Sequence, residues 1–140
     1  MKKVLSLIFA LVLCASLCAC GGDFDVTVTK DGSTITMKAS ELQAYASKAN
    51  STFFDEYVLG DLPVSFTAEI IDDSYPSKSL YNGKYANGWI TYKFANGIEV
   101  ITPVKYLQEG QLVSVKGEFI SVVNGDKKTL VMEGSVWPAN

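Results

Sequence analysis

Hydrophobic and polar positions change rhythm several times along the chain. Val4 to Ala15 is almost unbroken apolar sequence, with Ser6 and Cys14 the only mild exceptions. Val26 to Met37 then alternates about Asp31-Gly32, a two-residue turn signal because both positions accept positive φ. The implied register sets Lys30 against Ser33, Thr29 against Thr34, Val28 against Ile35, Thr27 against Thr36 and Val26 against Met37. Apolar meets apolar on one face and Thr meets Thr on the other. An extended linker is the competing reading. From Ser40 to Asn50 the period becomes helical, with Leu42, Tyr45, Ala46 and Ala49 on one face. Ser40 is placed to cap this helix, and Gln43 three residues on completes a capping box. Phe53, Phe54, Tyr57 and Val58 predict a second short helical turn within 52–59.

After Pro63 the period becomes two. Val64, Phe66, Ala68 and Ile70 alternate with Ser65, Thr67 and Glu69; Ile90, Tyr92 and Phe94 share one face of the next segment, opposite Trp89 and Lys93. Residues 72–87 form a long polar and aromatic connection, while Asn96-Gly97 reads as a two-residue hairpin turn and Asn124-Gly125 as a further turn. Five strands are predicted, at 64–71, 89–94, 98–102, 112–123 and 129–137. Gly117 suits a long strand that must coil sharply. The expected fold is mainly β: a five-stranded OB-fold-like Greek-key barrel with an N-terminal capping helix. An open meander or a short sandwich is the alternative. The chain divides into a leader (1–19), a tether with a candidate hairpin (20–37) and the barrel domain (38–140).

The leader starts with Met1-Lys2-Lys3, and its apolar run is shorter than the ~20 residues a spanning helix needs. A cationic start followed by a short apolar run is the pattern of a secretory signal. Leu17-Cys18-Ala19-Cys20 resembles the lipobox of bacterial lipoproteins, and Gly21-Gly22 resembles the start of many mature Gram-positive ones. The resemblance implies a diacylglyceryl thioether on Cys20 and a location on the outer face of the cell membrane. The alternative is ordinary secretion with cleavage near Ala19. If Cys14 and Cys18 leave with the signal and Cys20 is lipidated, the mature domain holds neither a thiol nucleophile nor a disulfide. It is expected to fold without metal or cofactor.

Ser40-x-Leu42, Tyr45, Asn50, Tyr57 and Leu107-x-x-Gly110-x-x-Val113-x-Val115-x-Gly117 resemble the tRNA_anti-like OB domains, which are common in bacterial lipoproteins. The resemblance covers residues 38 to 136. Phe66-Thr67-Ala68-Glu69 stands where that family usually carries Val-x-Val-x-Gly. The resemblance implies the OB fold, and it does not extend to binding nucleic acid.

Composition narrows the chemistry. The 140 residues contain 12 Lys, no Arg and no His. The commonest general base and the bidentate phosphate fork are therefore missing. Without Lys2 and Lys3, 10 Lys face 15 acids, a mature charge of −5. That sign disfavours nucleic acid, whose binding needs clustered cations. It also leaves membrane attachment to acyl chains, two of which hold stably where one is marginal. No phosphate loop, nucleophile elbow or spaced metal ligand set is present, and Asp55-Glu56 and Asp72-Asp73 read as solvated pairs. The reading is non-enzymatic. Aromatics and lysines interleave between Tyr75 and Lys93, and Tyr81, Lys84, Tyr85, Trp89 and Lys93 are the candidate contacts for an extended glycan or peptide. Barrel-filling tyrosines with solvating lysines are the alternative. The other functional class is a structural or assembly lipoprotein that contacts a protein.

Overall fold

The computed structural model describes residues 22–48, 61–76, 83–85 and 87–139. The leader, Cys20, the 52–59 turn and Tyr81 lie outside the described residues. The fold is mainly β, and the described residues form a single sheet of eight strands and one short helix. The strands are β1 (Asp25–Lys30), β2 (Ser33–Lys38), β3 (Val64–Glu69), β4 (Asp72–Ser74), β5 (Trp89–Phe94), β6 (Ile98–Pro103), β7 (Leu112–Val123) and β8 (Thr129–Pro138). The helix α1 spans Ala39–Ser47. Their order across the sheet is β2-β1-β3-β7-β8-β6-β5-β4. Neighbours are antiparallel except β6 and β8, which run parallel.

The hairpin at Asp31-Gly32 forms with all five of the expected pairs. Asp31 and Gly32 take φ of 50° and 79°, the mirror-image turn that matches strand twist. The hairpin is no separate tether, because β1 also pairs with β3 and buries Val26 and Val28 completely. Five expected strands become eight for this reason and because β4 arises inside the 72–87 connection, where Asp72 pairs with Lys93 and Ser74 with Thr91. The chain bends between β3 and β4. Ile70 N–H donates to Gln111 O beside β7 at 3.0 Å, and Ile71 N–H to Lys93 O of β5 at 2.9 Å. Residues 64–74 thus bond to β7 at one end and β5 at the other.

Two details of the helix and turns differ from expectation. The chain enters α1 directly from β2, so Lys38 takes the N-cap position and Ser40 lies inside the first turn. The Ser40 N–H instead donates to Asp23 Oδ1 at 3.0 Å, and its hydroxyl donates to Asp23 Oδ2. Gln43 makes no capping box; its amide donates to Lys128 O at 3.2 Å. Asn96 and Gly97 both adopt positive φ, but Phe94 pairs with Ile98, so the turn uses three residues rather than two.

The main core lies inside the curved sheet. Phe66 packs between Phe24 and Phe94 with centroids 4.9 and 5.0 Å away, and Leu42 and Ala46 of α1 join it. Gly117 and Gly134 pair across β7 and β8 at a close backbone approach. A Cβ at Gly117 would stand 2.2 Å from Glu133 O, and one at Gly134 would stand 2.5 Å from Lys116 O. Neither strand can carry a side chain there without the pair separating.

Candidate functional site

The alternation in β5 sets the site. Tyr92 and Phe94 enter the main core and Ile90 packs against it, which leaves Trp89 on the outer face of the sheet. There Tyr85 meets Trp89 edge to face, centroids 4.9 Å apart at 70°. Tyr85 is only 2% exposed. Its ring rests with Ile101 and Val131 in a second apolar cluster on the outside of β6 and β8. Tyr85 is therefore a buried support, and its ring is not the open stacking surface that the sequence reading assigned to it.

One carboxylate organises this cluster. Glu133 accepts from the Tyr85 hydroxyl and from Lys84 Nζ at 3.2 Å. The Tyr85 hydrogen bond holds the Glu133 carboxyl below its usual range; burial pulls the other way, and Lys84 adds to the lowering. Burial pushes the Tyr85 hydroxyl upward, and Glu133 reinforces that direction against Lys84. Lys84 also lies over the Tyr85 ring at 5.0 Å. Three of the candidate residues, Lys84, Tyr85 and Trp89, thus gather around Glu133. Lys93 does not join them. It faces Asp72 across β4, with Nζ 3.8 Å from the carboxylate.

Beside Trp89 opens a groove of 460 Å³. Trp89, Pro63 and Pro103 supply apolar surfaces, and Glu118, Glu133 and Lys116 supply charges. Gly117 and Gly134 also line it. Flat apolar faces beside carboxylate acceptors suit a ligand that offers both C–H surfaces and hydroxyl or amide donors. Apart from Trp89, none of these lining residues was read as a site residue from the sequence, where Gly117 stood out only for its backbone role, because they come from segments that only strand register brings together. One signal was present. Val100-Ile101-Thr102 and Leu130-Val131-Met132 are apolar or uncharged at consecutive positions, and all six are buried. Strands buried on both faces need a cover on the outside, and Tyr85 is part of it.

A larger concavity of 720 Å³ lies on the outer face of β1, β3, β7 and β8. Thr27, Ser65, Thr67, Ser114, Lys116 and Trp137 line it. Thr36, Thr27, Ser65, Lys116 and Ser135 form one cross-strand row. The Thr-facing side of the hairpin was visible in the sequence; its continuation across three further strands was not. Compared with protein-family models, curated proteins and solved structures, the chain matches none.

Proposed function

We propose that the protein is a membrane-anchored bacterial lipoprotein, held on the extracytoplasmic face through Cys20, whose domain is a non-enzymatic binding module for an extended glycan or peptide. The groove beside Trp89 carries this reading. It joins an indole and two proline rings to carboxylates within one open cleft, on a rigid sheet. An OB-fold arrangement is part of the proposal. Supporting it are the order β3-β7-β8-β6-β5, the parallel β6–β8 pair and the double engagement of residues 64–74. Sequence features support the anchor: a lipobox-like Leu17-Cys18-Ala19-Cys20 after a short cationic and apolar leader.

Two measurements test the reading. Wild-type cells fed an alkyne fatty acid should yield labelled, membrane-bound protein, and Cys20→Ser should yield neither; retained label overturns the anchor. Trp137→Phe leaves Trp89 as the single tryptophan. Its fluorescence should shift on titration with cell-wall glycan fragments or peptides, and Glu118→Gln should weaken that response. Stacking on an open tryptophan is worth about 1–3 kcal/mol on the scale known for single-stranded nucleic acids. No shift with any glycan or peptide leaves the second reading, an assembly lipoprotein. That reading draws on the exposed large apolar side chains among the described residues, Ile71, Tyr75, Val104, Tyr106, Leu112 and Trp137, since such groups left uncovered suit a protein surface.

A further inference from the structure

We infer that the end of the domain formed by α1 and the Asn96 turn is the surface held against the bilayer, and that the Trp89 groove opens away from it. This rests on the lipid-anchor reading of Cys20. The argument starts from Asp23, three residues after that cysteine. Its Oδ1 accepts from Phe24 N–H at 3.1 Å, Ser40 N–H at 3.0 Å and Asn96 Nδ2 at 3.0 Å, while Oδ2 accepts from the Ser40 hydroxyl. The side chain thereby ties the incoming chain to the first turn of α1 and to the β5–β6 turn. The next residue, Phe24, is already 7% exposed and stacked on Phe66. The folded body therefore begins at the third residue beyond the anchor.

Covalent geometry then limits the separation. Three virtual bonds of ~3.8 Å place the Asp23 Cα within about 11 Å of the Cys20 Cα. The polar layer on each side of a bilayer is itself about 5–8 Å deep. A thioether seated at the base of that layer keeps Asp23 inside it or just above. The domain cannot roll far on so short a connection, and the side that carries Asp23 faces the lipid. Its chemistry suits a head-group layer. Around α1 and the neighbouring 124–128 connection, Glu41 and Asp126 are interspersed with Lys48 and Lys127, all exposed, and with the half-buried Lys128. Among the described residues, the exposed large apolar side chains lie elsewhere.

The opposite end of the β5–β6 hairpin carries Trp89 paired with Pro103. Six residues lie between Trp89 and Asn96. At ~3.3 Å per residue that is about 20 Å along the strand. The groove is thus presented to polymers and proteins of the envelope and not to lipid.

Lipidated protein in vesicles carrying nitroxide-labelled head groups tests this. Single cysteines are introduced at exposed positions, Ala44→Cys on α1 and Tyr106→Cys beyond Pro103, and each is coupled to a fluorophore. The Ala44 label should be quenched several-fold more than the Tyr106 label. Equal quenching, or stronger quenching at Tyr106, overturns the orientation. A long Gly-Ser insertion between Gly22 and Asp23 should abolish the difference; a difference that survives it shows that the short connection does not set the orientation. Vesicle flotation separates the two levels of failure. Protein that does not float with lipid refutes the anchor itself, whereas floating protein with the wrong quenching pattern refutes the orientation alone.

Discussion

At the end of the sheet that carries the Asn96 turn, α1 lays Ala39, Leu42 and Ala46 over the main core, all three buried. At the end where β6 stops and β7 begins, no helix covers the core among the described residues. Residues 104–111 run across it as a strap held by polar contacts. Val104 N–H donates to Gly88 O at 2.8 Å, and Gly110 N–H to Ile70 O at 2.8 Å. The Tyr92 hydroxyl donates to Lys105 O at 2.6 Å, and Lys105 Nζ to Val136 O at 2.5 Å. One end is sealed by apolar side chains turned inward. The strap at the other end sends only Leu107 onto the core and is otherwise held by hydrogen bonds, while its Val104 and Tyr106, like neighbouring Leu112, stay exposed. The difference shows that closing a core and presenting an apolar surface are separable tasks. At the strap, hydrogen bonds and the inward Leu107 perform the closure, which leaves Val104 and Tyr106 available to a partner.

Three substitutions probe this contrast. The largest effect is expected from Leu42→Ala. Leu42 is fully buried, and truncating such a residue costs about 2–5 kcal/mol. Urea denaturation should show a clearly lower midpoint; an unchanged midpoint would mean that α1 does not seal the core. Asp23→Ala should cost about 1 kcal/mol at neutral pH, the scale for losing a helix cap. Its carboxyl feels burial first, which raises its pKa, but the hydrogen bonds from Ser40 and Phe24, with Lys38 nearby, outweigh this and hold it below the usual value. A lowered carboxyl stabilises the fold above its ordinary range, ~3.9, and that contribution fades as pH falls through the lowered value. Wild type and Asp23→Ala should therefore converge in strong acid. A gap that stays constant with pH would assign the effect to packing. The smallest effect belongs to the strap: Tyr106→Ser, at a fully exposed position, should change stability by no more than about 0.5 kcal/mol. A large loss would show that the apolar surface supports the fold after all.

Legibility in the sequence followed the same division between local and distant information. The β1–β2 register could be read for five of its six pairs, all but Asp25 with Lys38, because Asp31-Gly32 fixes the turn and alternation fixes the faces. The outward position of Trp89 followed from the phase of Ile90, Tyr92 and Phe94. β4 was missed because Asp72-Asp73-Ser74 has no pattern of its own and becomes a strand only by pairing with β5. Ser40 looked like a cap because its partner, Asp23, lies 17 residues upstream. Tyr85 looked exposed in a Gly- and Asn-rich loop because its burial depends on Ile101 and Val131. Each of these errors concerned a side chain or segment whose environment is supplied by a distant part of the chain.

The close approach of Gly117 and Gly134 bears on how recognition by this domain can diversify. Both residues line the groove, and a methyl group at either one meets the backbone of the opposite strand. Such overpacking costs about 1–3 kcal/mol or forces the strands apart. Selection for a new ligand therefore has little room at this part of the cleft. Variation must fall on the surrounding side chains, Trp89, Pro103, Glu118 and Ser135, so ligand preference can drift through rim substitutions while the β7–β8 crossing underneath stays as it is.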